Sequence, residues 1–292
     1  MLNDLHAQEL TVVTPIKDDG LPTNEAGPWV KVKYGLVGLY GEIFSKGMKA
    51  KWDRRIYIDL FAGSGRVRIR DTGEILDASP LIALGVTHPY DLYIFCEQDA
   101  SKLAALKQRV ATLFPDANVE YVPGDCNTQT AKINEVIGKS GARGGGLSFC
   151  FADPFSIGAL KFATIKAISA GKAVDFLLLL ALAMDANRFK KLYSKTSNHT
   201  VDEFLGNPNW RAEWSKVERT MDFRRFLAER YGVSMTDLGY LPVPLTKMKE
   251  VRSSEKNLPL YHLAFFSGHE RGYKYWDQVL KYGVDQLEFP FS

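Results

Sequence analysis

The chain has 292 residues, with 37 basic and 34 acidic side chains and a net charge of +3 at pH 7. Hydrophobic residues make up 46% of it, which is too apolar for a disordered chain and enough for a large core without disulfide bonds. The longest apolar run, Phe176 to Met184, is about half the ~20 residues that a membrane-spanning helix needs. These values exclude a membrane span, and the near balance of charge permits an anionic partner without requiring one.

The cysteines and the N-terminal segment indicate the compartment. Cys96, Cys126 and Cys150 are far apart and form no CxxC pair, which argues against a disulfide framework and against a zinc site. The first residues contain no basic segment followed by an apolar one, so a secretory signal is not expected. Together these features favour a cytoplasmic protein.

Two segments precede the predicted sheet. Residues 1–28 are rich in proline and glycine and show no sustained periodicity, which predicts an irregular N-terminal arm before a single domain over residues 29–292. Between Trp29 and Lys49, apolar residues recur every three or four positions. This spacing predicts a helix with one buried face.

Short apolar runs alternate with helical patterns through the middle of the chain. Runs that are apolar on every side suit a parallel sheet covered by helices on both faces, so they predict a Rossmann-like α/β domain. The five predicted parallel strands are Ile56–Phe61, Leu92–Cys96, Val119–Val122, Leu147–Ala152 and Phe176–Ala181.

The last part of the chain contains two more predicted strands, Leu241–Lys249 and Leu260–Phe266. The connection between them is too short for a helical crossover, which predicts an antiparallel C-terminal hairpin. The helical, aromatic-rich segment over about residues 185–240 is longer than a crossover needs. We expect this insert to cover the carboxyl edge of the sheet.

The first strand ends in Asp59-Leu60-Phe61-Ala62-Gly63-Ser64-Gly65, whose glycines allow a tight turn and close approach to a ligand. Arg68 stands where a dinucleotide fingerprint has its third glycine, and the Gly-Lys-Ser/Thr of a phosphate-binding loop is missing. These departures argue against NAD, FAD and nucleoside triphosphates. A plain tight turn is the alternative interpretation.

Acidic residues follow the next two strands. Glu97 ends the second strand, where a carboxylate can accept hydrogen bonds from ribose hydroxyls, and Asp125 ends the third, where it could meet an adenine amino group. A simple turn explains Asp125 equally well. Acids at the ends of three successive strands indicate a nucleoside site without a pyrophosphate group, which favours S-adenosylmethionine as cofactor. The candidate cofactor residues are Asp59, Phe61, Ala62, Gly63, Ser64, Gly65, Glu97, Asp125 and Cys126.

The fourth strand ends in Asp153-Pro154-Phe155, where the proline fixes the exit from the strand and aims the carboxylate out of the sheet edge. This segment is partly similar to the Asp-Pro-Pro-Tyr signature of amino-directed DNA methyltransferases, but it lacks the second proline and the phenol. Asp153, Pro154 and Phe155 are the candidate catalytic residues. The alternative is a turn that only lines the cofactor.

Several polar residues are candidates for substrate binding. Arg66 to Asp77 is an insertion that begins with alternating basic and apolar residues. This pattern suits a strand that faces an anionic substrate, but we slightly prefer the interpretation as a solvated loop. The helix after it is predicted to have Ser79 as N-cap and Pro80 at its first position. Asn187 and Arg188 follow the fifth strand, where a substrate opening and an ordinary helix start are equally plausible. The predicted substrate contacts are Lys31, Lys33, Arg66, Arg68, Asn187 and Arg188.

The order and spacing of several short motifs resemble the three-Cys-motif partner protein family over most of the chain. The motifs are Trp29 with Lys31 and Lys33, Tyr57 to Gly65, Ser79 to Leu84, Asp153 to Phe155, Asn187 to Phe189, Phe204 to Gly206 with Trp210, and Tyr261 to Gly268. The family more often has Gly-Pro-Gly at Gly63-Ser64-Gly65. The resemblance implies a class I methyltransferase-like fold and a neighbour-encoded partner that carries the three cysteines.

These observations predict S-adenosylmethionine-dependent methyl transfer, with a nucleic acid as acceptor. Asp153 would orient an acceptor amino group, and the basic residues would hold phosphates. Two alternatives stay open. One is a non-catalytic adaptor for the three-Cys partner, and the other is a small-molecule methyltransferase.

Overall fold

The structure is a computed structural model that describes residues 14–139, 146–253 and 257–285. The strands, in chain order, are β1 (Asn24–Ala26), β2 (Arg55–Asp59), β3 (Arg66–Ile69), β4 (Ile75–Asp77), β5 (Leu92–Glu97), β6 (Val119–Pro123), β7 (Leu147–Ala152), β8 (Ala173–Leu180), β9 (Lys249–Arg252) and β10 (Pro259–Phe266). The helices are α1 (Val30–Met48), α2 (Ser79–Leu84), α3 (Ala100–Leu113), α4 (Thr130–Lys139), α5 (Phe162–Ser169), α6 (Lys190–Tyr193), α7 (Thr200–Leu205), α8 (Trp210–Val217), α9 (Phe223–Asp237) and α10 (Glu270–Asp285). A π-helical turn spans Leu182–Asn187 and a 3-10 turn spans Leu245–Lys247.

Seven strands form the main sheet in the order β6-β5-β2-β7-β8-β10-β9. The first five are parallel, and β10 runs antiparallel to both β8 and β9. The predicted Rossmann-like α/β fold, with five parallel strands and a C-terminal antiparallel hairpin, is therefore confirmed. Every residue of β2 and β7 is buried, because the central strands are covered on both faces.

The strand register places the candidate motifs at one edge. Asp59 at the end of β2 is level with Phe95 of β5 and with Phe151 of β7. The chain order reverses at β2, which has β5 on one side and β7 on the other. Open α/β sheets bind their ligands at such a reversal, beyond the carboxyl ends of the strands.

A second, three-stranded sheet in the order β1-β3-β4 lies outside the main sheet. The slightly preferred loop interpretation of residues 66–70 was wrong, because Arg66–Ile69 is a strand that buries Val67 and Ile69 and turns its arginines outward. This sheet has a small core of its own, formed by Val30, Tyr34, Val67, Ile69, Leu76 and Ala78. The predicted irregular arm therefore contributes a strand, β1, to ordered structure.

Two local predictions need correction. Leu241–Lys249 is not one strand, because the ladder begins only at Lys249, and Pro242 and Pro244 upstream have no N–H to donate. Helix α2 begins at Ser79 itself, so its N-cap residue is Ala78, with an extended backbone, and not Ser79. Residues 185–240 contain a series of helices that ends with α9. No helix within the described residues is both long and apolar enough to cross a bilayer.

Candidate functional site

A cavity of about 270 Å³ opens at the carboxyl edge of β2, β5, β6 and β7. Segments that follow these four strands form most of its wall, as the parallel register requires. The N-terminal arm and α1 complete it. The lining residues are Asn24, Tyr34, Leu60, Phe61, Ala62, Ala78, Ser79, Glu97, Gln98, Lys102, Gly124, Asp125, Cys126, Asp153 and Phe155.

The glycine turn after β2 has little free space. Gly63 and Gly65 have φ angles of +62° and +82°, which favour glycine. A Cβ on Gly65 would lie 2.8 Å from the Leu106 side chain and 3.2 Å from that of Leu81. The hydroxyl of the buried Ser64 donates to the Arg66 carbonyl at 3.0 Å, so it does not face the cavity. Phe61 and Ala62 line the cavity, whereas Gly63, Ser64 and Gly65 shape the backbone behind it.

Glu97 joins the ends of β2 and β5. One carboxylate oxygen accepts a hydrogen bond from the Gly63 N–H at 2.8 Å, and the other accepts from the Asp99 N–H at 2.8 Å. Asp99 in turn caps α3 by accepting hydrogen bonds from the backbone N–H groups of Ser101 and Lys102. Each carboxylate oxygen has a second lone pair, so Glu97 can still accept hydrogen bonds from a ligand in the cavity.

Asp59 is buried beneath the cavity and does not line it. It accepts a hydrogen bond from the Phe61 N–H at 3.1 Å and a longer one from the Tyr57 hydroxyl at 3.4 Å. Burial raises the pKa of Asp59 to about 7, and the nearby Asp153 carboxylate adds to the rise, while hydrogen bonds from Ser79 and Phe61 oppose it. Its contact with a ligand is therefore indirect, through the turn that it supports.

Asp125 and Cys126 lie where the sequence predicts them, after β6. The exposed Asp125 carboxylate accepts hydrogen bonds from both the backbone and the side-chain amide of Asn127, each at 2.9 Å. Cys126 is buried, and burial raises the pKa of its thiol above the ordinary value. The thiol is thus an apolar part of the wall, and the carboxylate is the polar group at this end of the cavity.

Asp153 pairs with Lys33, a contact between residues 120 positions apart that joins β7 to α1. The Lys33 side chain is 6% exposed, whereas that of Asp153 is 21% exposed and faces the cavity. Tyr261 of β10 belongs to the same neighbourhood, and burial together with the Asp153 charge raises its pKa. Its buried hydroxyl has no hydrogen-bond partner among the described residues.

Phe155 is the most exposed large apolar residue at the site, with 72% of its surface accessible. Its loop is fixed to the turn after β8, because the Ile157 N–H donates to the Asp185 carboxylate at 2.7 Å. Asp185 also accepts from the Tyr193 hydroxyl at 2.8 Å. The catalytic candidates Asp153 and Phe155 therefore meet at the mouth of the cavity, while Pro154 does not line it.

Sequence patterns missed the part played by the N-terminal arm. Asn24 of β1 lies over the glycine turn, with its amide nitrogen 2.5 Å from where a Cβ on Gly63 would be. The Asn24 side-chain oxygen is buried without a partner among the described residues. Arg109 of α3 holds the arm by binding Asp19 at 2.7 Å and the Ser64 carbonyl at 2.6 Å. The short β1 alternates too briefly to be recognised from sequence.

Four of the predicted substrate-binding residues are in ion pairs, and none of the six lines the cavity. Lys33 pairs with Asp153, as described above, and Lys31 pairs with Glu74 at 2.8 Å. Arg66 pairs with Asp19 at 2.7 Å and with Asp77 at 3.3 Å. Arg68 pairs with Asp18 at 2.6 Å. Asn187 and Arg188 are exposed at the end of the π-helical turn, two and three residues after the Asp185 that binds the Ile157 N–H. Lys102 of α3 lines the cavity without a carboxylate partner among the described residues, and further unpaired basic side chains lie in the helical insert.

That unpaired charge forms a surface, here called the insert patch, of Arg188, Phe189, Lys190, Lys191 and Lys195. Its four basic side chains have no carboxylate partner within the described part of the chain. Phe189 is 42% exposed and lies 5.5 Å from the Arg188 guanidinium. Lys190 lies over the Trp214 ring at 4.5 Å.

No protein-family model matches this chain, and no curated protein matches its sequence. Solved structures share its backbone arrangement at low identity. The O-methyltransferase from Bacillus cereus in complex with S-adenosylhomocysteine is 10% identical with a TM-score of 0.45, over 85% of this chain and 84% of that one. Trm1 from Pyrococcus horikoshii with S-adenosyl-L-methionine is 10% identical with a TM-score of 0.44, over 90% of this chain and 61% of that one.

A third neighbour, protein LPL1258 from Legionella pneumophila, is 13% identical with a TM-score of 0.36. The match covers 49% of this chain and 66% of the Legionella protein, so this chain spans under two thirds of both that protein and Trm1. Similarity at these values describes the backbone alone. The choice of ligand therefore rests on the residues of the cavity.

The described residues form no metal site. Within residues 14–139, 146–253 and 257–285, no group of three or more His, Cys, Asp or Glu side chains is placed to hold a metal ion. The described cysteines are all free and buried. The polar side chains of the described lining are three carboxylates, two amides, one hydroxyl, one phenol and one ammonium group.

Proposed function

We propose that this chain binds S-adenosylmethionine at the carboxyl edge of the sheet and transfers its methyl group to an acceptor beside Asp153. One observation carries the proposal: Glu97 bonds to the Gly63 N–H and lines the same cavity as Asp125 and Asp153. The acid that ends β5 and the acids that follow β6 and β7 thereby line one cavity, in front of the glycine turn that follows β2.

The charges of the cavity favour this ligand over a nucleotide phosphate. Asp125, Asp153 and Glu97 line it, and Lys102 is the one basic residue of the described lining. S-Adenosylmethionine carries a positive sulfonium and a positive ammonium against one carboxylate, so an acidic cavity attracts it. A pyrophosphate would instead be repelled, because three carboxylates outnumber the single Lys102 in the described lining.

The residues present fit the cofactor group by group. Glu97 would accept hydrogen bonds from the ribose hydroxyls, and Asp125 would meet the adenine amino group. Asn24, with its unpartnered buried oxygen, is placed to accept from the ammonium group of the methionine end. The cofactor supplies a methyl group that its sulfonium already activates, so the chain's main task is to position the acceptor.

Asp153 and Phe155 would position that acceptor. Lys33 fixes the Asp153 side chain, and the partial exposure of that carboxylate leaves it able to accept a hydrogen bond from an acceptor amino or hydroxyl group. The exposed Phe155 ring offers a flat apolar surface against which a ring-shaped acceptor can stack. A neutral amino acceptor attacks with its nitrogen lone pair and S-adenosylhomocysteine would leave as a neutral thioether. The methylated nitrogen then loses its proton to water, so neither residue needs to remove a proton before the transfer.

We propose a nucleic acid as the source of the acceptor, because the insert patch follows the π-helical turn whose Asp185 binds the loop that carries Phe155. Unpaired basic residues with an exposed aromatic ring are typical of surfaces that bind the phosphates and bases of single strands. A base held in a duplex would have to be flipped out to reach Asp153. The three-Cys partner stays a prediction of the sequence, as does the non-catalytic adaptor role.

The test is incorporation of radiolabelled methyl from S-adenosylmethionine into total nucleic acid and total protein, with and without the neighbour-encoded three-Cys protein. We expect label in nucleic acid, and we expect Asp153→Ala to lower turnover by at least about 100-fold. S-Adenosylhomocysteine affinity, measured by calorimetry, should stay within about twofold, because Asp153 acts on the acceptor in the transition state. The exposed Asp116→Ala is the matched control, with activity unchanged.

Two outcomes would contradict the proposal. If no nucleic acid, protein or added small molecule is labelled in either condition while S-adenosylhomocysteine still binds, the adaptor role replaces catalysis. If Asp153→Ala retains wild-type turnover, Asp153 does not orient the acceptor.

A further inference from the structure

A second cavity, of about 420 Å³, lies at the opposite, amino edge of the sheet. Leu147 begins β7 there, Ala173 begins β8, and Ser267 follows β10. The eight residues of β8 span roughly 25 Å between the two edges at ~3.3 Å per residue. None of its lining residues belongs to the candidate cofactor site.

Aromatic and aliphatic side chains form one wall of this amino-edge cavity. The wall includes Phe44, Met48 and Trp52, at the end of α1 and just after it, together with Tyr240 and Tyr275. Such a wall suits the flat face of an aromatic ring. A volume of this size falls within the range that holds small organic ligands.

Basic groups surround its mouth. Lys172, His269 and Arg271 all line the cavity, and the first and third have no carboxylate partner among the described residues. His269 and Arg271 flank the start of α10, a 16-residue helix, so the positive end of the helix dipole adds to the field of these side chains.

The single acid in the lining, Asp175, is occupied by the protein. Its carboxylate accepts a hydrogen bond from the Tyr40 hydroxyl at 3.0 Å and another from Ser267, and 7% of the residue is exposed. Tyr40 is itself fully buried. The carboxylate is thus bound from within the core. The Lys172 ammonium donates one hydrogen bond to the Ala170 carbonyl at 3.2 Å and keeps two further donors, so it and the Arg271 guanidinium can bind a ligand.

We infer that the amino-edge cavity is a second small-molecule site, which takes a flat aromatic molecule with a negatively charged carboxylate, sulfonate or phosphate group. The ring lies against the Trp52 and Tyr275 wall. The anionic group lies at the mouth, where Lys172 and Arg271 donate hydrogen bonds to it. This site is independent of the methyltransferase proposal, because it shares no residue with that cavity.

The probe for the test is 8-anilinonaphthalene-1-sulfonate, an aromatic anion whose fluorescence rises when it leaves water. We expect saturable binding of one molecule per full-length chain, competed by adenosine monophosphate or by indole-3-acetate. The two competitors distinguish a nucleotide from an aromatic carboxylate as the natural source of the anion. Inorganic phosphate alone should compete far more weakly, since it cannot use the aromatic wall.

The double variant Lys172→Ala/Arg271→Ala should weaken probe binding by about tenfold or more, which is the effect of losing two charged donors. The matched control Lys216→Ala/Arg219→Ala removes two exposed basic residues from a remote segment and should leave the affinity unchanged. Thermal unfolding of both variants verifies that they fold. The inference is overturned if the first pair binds the probe as tightly as the wild type, or if uncharged N-phenyl-1-naphthylamine binds as tightly as the sulfonate.

Discussion

The two edges of the sheet each hold a buried carboxylate, yet their surroundings carry opposite charge. At the carboxyl edge, Asp59 lies beneath a cavity lined by Asp125, Asp153 and Glu97. At the amino edge, Asp175 is the single acid in the described lining, among Lys172, His269 and Arg271. Burial raises both pKa values, to about 7 for Asp59 and about 6 for Asp175.

The difference between the edges comes from the neighbours of each carboxylate. Asp153 adds to the rise in the pKa of Asp59, whereas the positive charge of His269 lowers that of Asp175. The carboxyl edge therefore suits a cationic ligand and the amino edge an anionic one. One fold thus presents two chemically distinct binding surfaces at opposite ends of the same strands.

The largest expected effect concerns packing at the two edges. Gly65→Ala should lower the free energy of unfolding by about 4 kcal/mol, because it combines a left-handed φ with contacts to Leu106 and Leu81 that have no room for a Cβ. Gly239, which lines the amino-edge cavity at φ +93°, has no atom within 4 Å of an added Cβ. Gly239→Ala should cost only the backbone strain, about 1–2 kcal/mol.

Urea unfolding of both variants makes this comparison. Equal losses of stability would show that the turn after β2 is no more tightly packed than the loop beside the amino-edge cavity.

The next effect is the dependence of stability on pH through Asp59. Its pKa is 3.8 in the unfolded chain and about 7 in the folded one, so its protonated form stabilises the fold fully below pH 3.8. This contribution is lost as the pH rises from 3.8 to 7, at about 1.4 kcal/mol per unit. Asp59→Asn cannot ionise, so its stability relative to the wild type should rise by about 3 kcal/mol between pH 5 and pH 8.

Urea unfolding across that pH range measures the difference, with the exposed Asp116→Asn as control. A constant difference between Asp59→Asn and the wild type from pH 5 to pH 8 would show that Asp59 is ionised throughout.

A smaller effect of the same sign is expected from Asp175. The pKa of Asp175 in the folded chain is about 6, compared with about 7 for Asp59, and its unfolded value is 3.8. The stabilisation by protonated Asp175 is therefore lost between pH 3.8 and pH 6, about one pH unit below the end of the range for Asp59. Asp175→Asn should therefore gain about 1–2 kcal/mol relative to the wild type between pH 5 and pH 8. If its gain equals that of Asp59→Asn, the two edges do not differ in charge as described.

The smallest effect separates paired cations from unpaired ones. Lys31 is bound to Glu74, so Lys31→Ala should leave the affinity for a single-stranded oligonucleotide within about twofold. Lys191 of the insert patch is unpaired, and Lys191→Ala should weaken binding severalfold and lower the salt slope by about one. Filter binding at several salt concentrations measures both. Identical salt slopes for the two variants would remove the insert patch from the proposed acceptor surface.

The parallel strands and the glycine turn could be predicted because their signals are local. Each strand is a short apolar run, and the residues that leave its carboxyl end follow directly in sequence, so Glu97, Asp125 and Asp153 could be placed at one edge. The register confirms that they share an edge.

The rest depends on contacts between distant residues that no local pattern contains. The pairing of Lys33 with Asp153 joins residues 120 positions apart, and Arg109 reaches Asp19 across 90 positions. The sequence therefore predicts Lys33 as a phosphate contact, whereas in the structure it forms an ion pair with Asp153, the candidate catalytic carboxylate. The predicted strand Leu241–Lys249 is a different case, because Pro242 and Pro244 have no N–H for a strand ladder and this is evident from the sequence alone.

The most direct test of the central claim is calorimetric titration of the wild type, Glu97→Gln and Glu120→Gln with S-adenosylhomocysteine. Glu120 is an exposed acid on β6, whereas Glu97 binds the Gly63 N–H and lines the cavity. We expect one site per chain, with affinity unchanged in Glu120→Gln and at least about tenfold weaker in Glu97→Gln. Absence of heat with S-adenosylhomocysteine, together with binding of NAD, would contradict the account.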